Sequence, residues 1–166
     1  WMNNYAVKHY TADKYCGKAN AGGTIGPVPT FFYEFDKNDR RRDISCVPYR
    51  WNSGKQELEN IQKWYSGKYR YEWMNEVISG NDCGIKPILM RYADVMLMKA
   101  EALIWTKGEG DGEAKELLND IRERAGLPRN SQATKAQLQN ERRCELAFEF
   151  QPSRFVDVIR WGLAPT

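Results

Sequence analysis

The sequence predicts a mainly α protein, in which packed helices follow a loop-rich segment with short strands. From residue 91 onward, apolar residues recur every three or four positions, the spacing of one helix face. Before residue 88, aromatic residues, glycine and proline are frequent and helical periodicity is weak. We therefore divide the chain into a loop-rich, aromatic-rich domain with short strands at residues 1–87 and a helical domain at residues 88–166.

The first segment offers few regular elements. Residues 21–29 are typical of a loop because glycine and proline dominate them. The aromatic run Thr30–Phe35 predicts a short strand, and Ile44–Trp51 predicts another. We interpret Asp36–Asp43 as a charged turn between them and Leu58–Lys63 as a single turn of helix.

Two helices open the second segment. Arg91–Trp105 is apolar around most of its circumference, so we expect neighbouring helices to bury it. Gly112–Leu127 has one apolar face and ends at Gly126, where glycine accepts the left-handed conformation of a helix terminus. The polar turn Gly108–Gly112 joins them into an antiparallel helical hairpin of the tetratricopeptide type.

Two further helices complete the prediction. Gln137–Phe150 forms the third, with Thr134 as its N-cap. The fourth begins near Ser153 and ends at Gly162, and we expect Trp161 to lie in the core. Its buried side is predicted to consist of Phe155, Val158 and Ile159.

The third helix carries a stripe of acidic side chains. Glu141, Glu145 and Glu149 lie four residues apart, so they share one face and repel each other unless cations meet them. Glu145 and Glu149 could be imagined as the acid and base of a glycoside hydrolase, but ion pairing is the commoner role on an arginine-rich helix. We predict a structural network between helices that contains Arg91, Glu141, Arg142, Glu145, Glu149 and Arg160.

Composition excludes several classes of function. The net charge of +3, from 25 basic and 22 acidic residues, is too balanced for a nucleic-acid-binding protein. His9 is the single histidine, and no nucleophile elbow or Cys-x-x-Cys pair occurs. We predict no enzyme, no cofactor and no metal site. Whether the cysteines form disulfides stays open for Cys16, Cys46, Cys83 and Cys144.

Four ordered blocks carry a family resemblance. Arg91–Ala102, Leu118–Leu127, Glu141–Glu149 and Arg154–Gly162 resemble the C-terminal part of the SusD/RagB family. Asp36–Arg42 is similar to an Asp-Pro-Arg segment of that family, without its proline. Members are outer-membrane lipoproteins of Bacteroidetes that capture nutrients for an adjacent transporter. The resemblance implies a SusD-like fold, with residues 88–166 as the C-terminal helical block.

Two departures from the family pattern bear on the prediction. The glycine that usually follows the last glutamate is replaced by residues 150–153, which lengthens that corner. The chain is also several-fold shorter than family members. We therefore expect it to be the C-terminal part of a longer protein, whose preceding part would carry the lipid anchor and the early helical repeats.

The resemblance also implies a function. It is non-catalytic binding of glycan or oligosaccharide nutrients on the cell-surface side of the outer membrane, with delivery to a SusC-like TonB-dependent transporter. Exposed Trp and Tyr rings suit the apolar faces of sugars. The candidate ligand residues in the first segment are Tyr33, Trp51, Trp64, Tyr69 and Trp73. The alternative is a helical scaffold that binds a peptide or a protein.

Overall fold

The computed structural model describes residues 25–52, 54–55, 57–69, 86–149 and 153–164. These residues form six helices and a two-stranded antiparallel sheet, which confirms the mainly α prediction. The chain is organised in two compact units, one of residues 1–35 and 42–87 and the other of residues 36–41 and 88–166. The predicted domain boundary at residue 87 stays a prediction.

The first unit contains a short helix and a hairpin of strands. Helix α1 is Pro29–Phe32, and helix α2, Arg40–Ser45, carries residues of both units. Strand β1, Cys46–Asn52, pairs with strand β2, Glu57–Ser66. The small core of this unit is formed by Val47 and Tyr65, with Tyr49 and Ile61 against them.

Three local predictions for this segment were wrong in whole or in part. Thr30–Phe35 is not a strand, because Pro29 presets the first residue of α1 and the following amides bond three residues back. Leu58–Lys63 is part of β2 rather than a helical turn, since pairing with β1 decides its conformation. The predicted turn Asp36–Asp43 is partly helical, because α2 begins at Arg40. The strand at Ile44–Trp51 is confirmed by β1.

The hairpin contains a wide irregularity that displaces Trp64. Val47 pairs with Tyr65, whereas the next pair is Tyr49 with Asn60, so Pro48 alone faces residues 61–64. Proline has no N–H to donate to the ladder, which favours a bulge at this point. The backbone of Trp64 then lies against Gly26, where a side chain would overlap the Trp64 carbonyl oxygen.

The second unit is built from four longer helices: α3, Tyr92–Lys107; α4, Gly112–Arg124; α5, Lys135–Leu146; and α6, Ser153–Arg160. Helices α3 and α4 form the predicted hairpin, and α5 packs on both. Their shared core is apolar and consists of Leu97, Ala100, Ile104, Ala114, Leu118, Ile121, Ala133, Leu138 and Leu146.

Side chains fix the ends of these helices. Asp111 caps α4 by accepting a hydrogen bond from the Ala114 amide at 2.9 Å. Thr134 caps α5 as predicted, and it forms a reciprocal capping box with Gln137. Between these helices, buried Asn119 bonds both the amide and the carbonyl of Asn130, which holds the connecting loop.

The last two helices differ from their predictions. Helix α5 ends at Leu146 instead of Phe150, because Phe148 takes a left-handed conformation with φ of 62°. Phe155 and Ile159, predicted to be buried, are 71% and 56% exposed. The opposite side of α6 is turned inward instead, because buried Asp157 pairs with an arginine of α5.

The outer face of α3 also departs from the prediction. Tyr92, Val95, Met98 and Trp105 are all exposed among the described residues, so this helix is not enclosed on all sides. Trp161, predicted to be core, is half-buried. No described helix combines the length and hydropathy that crossing a bilayer requires.

The close approach at Gly26 makes a testable prediction. We expect Gly26→Ala to lower the free energy of unfolding by about 2 kcal/mol or more, since the new Cβ forces the backbone of β2 to move. Gly112→Ala is the matched control. It meets nothing within 4 Å on the first turn of α4, so it should leave stability unchanged or raise it by up to about 1 kcal/mol. Urea denaturation measures both, and equal effects would contradict the packing described at Gly26.

Candidate functional site

The candidate ligand surface lies in the first unit and is made of aromatic rings. Phe32 makes edge-to-face contacts with Tyr33 at 5.4 Å and with Trp64 at 5.3 Å, measured between ring centroids. Tyr33 is 77% exposed, whereas Phe32 and Trp64 are half-buried. The three side chains therefore form one stepped surface, which we call the ring surface, with its outermost plane facing solvent.

Local structure explains how the ring surface forms. The turn that ends α1 projects Phe32 and Tyr33 together, and the irregular part of β2 brings Trp64 to them. Phe31 braces the same turn from the other side through an edge-to-face contact with buried Phe35 at 5.0 Å. Contacts between rings thus hold these side chains in place before any ligand binds.

A charged pair borders the rings. The guanidinium of Arg42 lies 4.7 Å from the centroid of the Phe32 ring, a favourable cation–π contact. It also donates to Asp43, with 2.8 Å between Arg42 Nε and Asp43 Oδ1. The surface thus combines apolar planes with adjacent hydrogen-bonding groups, the combination that a sugar ring with apolar faces and a hydroxyl rim requires.

The ligand residues that the sequence predicts differ in their contacts and in their exposure to solvent. Tyr33 and Trp64 both contact Phe32, which the sequence interpretation did not select. Tyr69 is buried, with 3% exposure, so its ring does not face solvent. Trp73 and the side chain of Trp51 lie outside the described residues. Phe32 is adjacent to Tyr33 in the sequence, but its contact with Trp64 joins two distant segments, so only the structure could show it.

Glu145 is the centre of the charged network in the second unit. Its carboxylate, 2% exposed, accepts hydrogen bonds from Arg91 at 2.5 Å, from Arg41 at 2.8 Å and from Arg124. Burial by itself would raise the pKa of Glu145. The three arginines outweigh that effect, and they lower the pKa of Glu145 from 4.5 to about 2.

The remaining glutamates of the stripe are paired in the same way. Glu141 accepts from Arg41 at 2.5 Å and from Arg122 at 3.4 Å. Glu149 accepts from Arg91 Nε at 2.9 Å, and the left-handed Phe148 directs the chain so that this carboxylate returns to the cluster. Neither Glu145 nor Glu149 points freely into solvent.

Arg41 is the member of this cluster that the sequence interpretation left out. It donates to Asp39 through Nε and Nη2 while Nη1 donates to the two glutamates of α5. Burial would lower the pKa of Arg41, but these carboxylates raise it above its ordinary value. Its similarity to the arginine of the Asp-Pro-Arg segment was the available signal.

A second charged cluster contains the other predicted members, Arg142 and Arg160. Buried Arg142 donates to Asp94 of α3 and to Asp157 of α6, both at 2.9 Å. Arg160 donates to the same Asp157 at 2.8 Å and to Glu101, which also accepts from the Trp161 indole at 2.8 Å. The structure thus distributes the predicted ion-pair residues over two clusters.

The two described cysteines, Cys46 and Cys144, are buried. Cys144 precedes Glu145 on α5 and is 2% exposed. Burial raises the pKa of the Cys144 thiol to about 12, although Arg41 opposes the shift. Cys16 and Cys83 lie outside the described residues. The described part of the chain contains no group of three His, Cys, Asp or Glu side chains placed to hold a metal ion.

Comparison with known proteins identifies the family. The family model described as the SusD family matches residues 1–166. The chain belongs to the SusD family. It is 30% identical over 160 residues to SusD-like protein P2 of Formosa agariphila, an alignment that includes 82% of this chain and 31% of the relative.

Solved structures agree on the fold. Surface glycan-binding protein A from Bacteroides uniformis is 24% identical, with a TM-score of 0.66, and the match covers 95% of this chain and 34% of that one. A SusD superfamily protein from Parabacteroides distasonis is 22% identical with a TM-score of 0.69, over 96% of this chain and 35% of that one.

A third structure is that of surface glycan-binding protein A from Bacteroides thetaiotaomicron in complex with laminarihexaose. It is 21% identical with a TM-score of 0.68, and the match covers 97% of this chain and 37% of that one. The chain therefore spans about a third of the length of the relatives it matches.

The first prediction from the charged clusters concerns Glu145. We expect Glu145→Gln to lower the free energy of unfolding at pH 6 by about 2 to 3 kcal/mol, because three arginines lose a shared anion. Since the folded pKa lies below 4.5, the stability that Glu145 contributes is present above pH 4.5 and is lost as the pH falls towards 2.

Urea denaturation at a series of pH values measures this effect. The difference between wild type and Glu145→Gln should shrink between pH 4.5 and pH 2.5. Exposed Glu116, which pairs with Arg129, supplies the control Glu116→Gln, expected to match wild type throughout. A difference that stays constant across this range would contradict the role of the Glu145 charge.

A second prediction concerns Arg142. Arg142→Ala leaves Asp94 and Asp157 buried without their shared cation, which should destabilise the protein by about 3 to 5 kcal/mol. Arg129→Ala removes an arginine whose ion pairs are exposed, and stability should hardly change. Calorimetric melting of both variants tests this, and similar melting temperatures would contradict it.

Proposed function

We propose that this protein binds glycan or oligosaccharide nutrients without cleaving them, through the ring surface of Phe32, Tyr33 and Trp64. The observation that carries the proposal is the exposure of Tyr33 beside two contacting rings and a charged pair. A preformed aromatic plane gains contact area with a sugar face while losing few rotors.

The comparisons support carbohydrate as the ligand class. One solved relative is in complex with laminarihexaose, and another is described as a laminarin-binding SusD-like protein. Membership of the SusD family also supports delivery to a SusC-like TonB-dependent transporter on the cell-surface side of the outer membrane. We propose that a lipid outside residues 1–166 anchors the protein there.

Charge pairing supports a non-catalytic role. A glycoside hydrolase needs a carboxylic acid that is protonated near neutral pH to protonate the leaving group. Glu145 has the opposite property, since its arginine partners lower its pKa to about 2, and Glu149 pairs with Arg91. These two glutamates therefore act in packing the helices, not in hydrolysis.

The alternative function, a peptide- or protein-binding helical scaffold, would use the exposed apolar side of α3 and α6. The ring surface suits sugars better, because the charged, hydrogen-bonding pair of Arg42 and Asp43 lies beside its Phe32 ring.

Isothermal titration of the protein encoded by the complete gene tests the proposal. The probes are laminarihexaose, cellohexaose and maltohexaose, with a mixture of hexapeptides as the comparison. We expect saturable binding of one oligosaccharide, with the reducing-end count unchanged after incubation. Heat from the peptides alone would contradict glycan binding, and new reducing ends would contradict the non-catalytic role.

Ring variants locate the site. Tyr33→Ala and Trp64→Ala should each raise Kd about tenfold, the equivalent of about 1.4 kcal/mol for one lost aromatic contact. Trp105→Ala is the matched control, because it removes an exposed aromatic ring from the other unit and should leave Kd unchanged. Circular dichroism checks that each variant folds. Unchanged Kd in both ring variants would contradict this site.

A further inference from the structure

Gly26 lies where the chain passes against the backbone of β2. A Cβ atom at this position would lie 2.0 Å from the Trp64 carbonyl oxygen, whereas real Cβ contacts stay above 3.0 Å. The φ of Gly26 is outside the left-handed region, so glycine is required here by space and not by backbone conformation. Next to it, the Ile25 carbonyl accepts a hydrogen bond from the Ser66 amide at 3.4 Å, which holds the two segments together.

Phe32 connects the same segment to Trp64 a second time. Its ring meets the Trp64 ring edge-to-face, with 5.3 Å between the centroids and 83° between the planes. Residues 26–32 therefore contact Trp64 at both ends, through the backbone at Gly26 and through an aromatic side chain at Phe32. The position of one end relative to Trp64 thus constrains the position of the other.

The stretch between these two contacts is stiff. Pro27 and Pro29 lock their own φ angles, and Val28 between them is held extended, with φ of −74° and ψ of 146°. The single turn of α1 follows directly and ends at Phe32. Because few torsions in this stretch are free to adjust, a displacement at Gly26 is passed on to the aromatic residues at the end of α1.

The spacing of the aromatic rings follows from these contacts. A side chain at position 26 would have to move the segment away from β2 by about 1 Å to reach an allowed distance. A gap of about 0.5 to 1 Å already forfeits about a quarter to a half of the attraction between two contacting atoms. We propose that Gly26 is a positioning residue of the ring surface, which sets the distance between Tyr33 and Trp64 without touching the ligand. This role depends on the glycan binding proposed above.

Titration of Gly26→Ala in the protein encoded by the complete gene tests this role. The probe is whichever of laminarihexaose, cellohexaose and maltohexaose the wild type binds, at pH 6. Kd should rise at least about threefold, which corresponds to half of the contact of one ring. Glu145→Gln is the matched control, because it is also expected to lose stability but lies in the other unit, so its Kd should equal that of wild type. An unchanged Kd in Gly26→Ala, or an equal rise in the control, would overturn the proposal.

A double variant separates positioning from loss of stability. In Trp64→Ala the carbonyl of residue 64 remains, so a Cβ at position 26 still meets it and still destabilises the fold. Only one exposed ring, that of Tyr33, is then left, and the spacing of two rings no longer affects binding. Adding Gly26→Ala to Trp64→Ala should therefore change Kd by less than about twofold. The same rise as in the wild-type background would overturn the proposal.

Fluorine NMR provides a readout that needs no ligand. With 5-fluorotryptophan incorporated, the signal of Trp64 is the one that disappears in Trp64→Ala. This signal should move in Gly26→Ala and keep its position in Glu145→Gln, because only the first change displaces the segment beside Trp64. A signal that does not move in Gly26→Ala would overturn the positioning role even if the glycan binds.

Failure of the glycan proposal itself has a different signature. A wild type that binds none of the three hexaoses, together with a displaced Trp64 signal in Gly26→Ala, would contradict glycan binding and with it any role of Gly26 in that binding. If Gly26→Ala does not fold, Phe32→Leu removes the contact at the other end of the segment. It should likewise move the Trp64 signal and raise Kd, and unchanged values of both would overturn the proposal.

Discussion

The second unit depends on one carboxylate that three arginines share. Glu145 of α5 accepts hydrogen bonds from Arg91 at the start of α3, Arg124 at the end of α4 and Arg41 in the first turn of α2. Four parts of the chain that are distant in sequence thus meet at one buried group. Burial makes each partner costly to remove, since an unpaired ion in this position would keep its desolvation penalty without compensation. The crossing of the helices is therefore specified by directional ion pairs in addition to the apolar core.

Local sequence patterns predicted some of these elements, whereas elements that depend on long-range contacts could not be predicted. Helices α3 and α4, the hairpin turn and the Thr134 cap follow from local patterns, and the structure contains them. The orientation of α6 does not, because it depends on Arg142 reaching Asp157 across fifteen residues of sequence. An apolar stripe was a misleading guide there, because the buried pair of Arg142 and Asp157 turns the other side of α6 inward. Leu58–Lys63 was misassigned for a related reason, as the pairing of β2 with β1 overrides local propensity.

The ring surface was likewise only partly predictable from the sequence. Tyr33 and Trp64 could be selected from residue type alone, but only Phe32 joins them, and it does so because Pro48 interrupts the strand ladder opposite Trp64. Pro48, which lacks an amide hydrogen, thereby influences the position of the Trp64 ring. Backbone irregularity is common where a strand must present a side chain to a ligand. The geometry needed for stacking is thus encoded by residues that do not themselves touch the proposed sugar.

The buried thiol of Cys144 is a chemical probe of how often the helical unit opens. A thiol with a pKa near 12 is almost entirely protonated at neutral pH, and its 2% exposure keeps alkylating reagents away. Its alkylation therefore has to wait until α5 separates from its neighbours. The rate at which Cys144 of the native protein reacts with a maleimide therefore reports how often α5 opens, without any denaturant. A cluster that holds a structure together in this way also determines the slowest motion by which the structure can be lost.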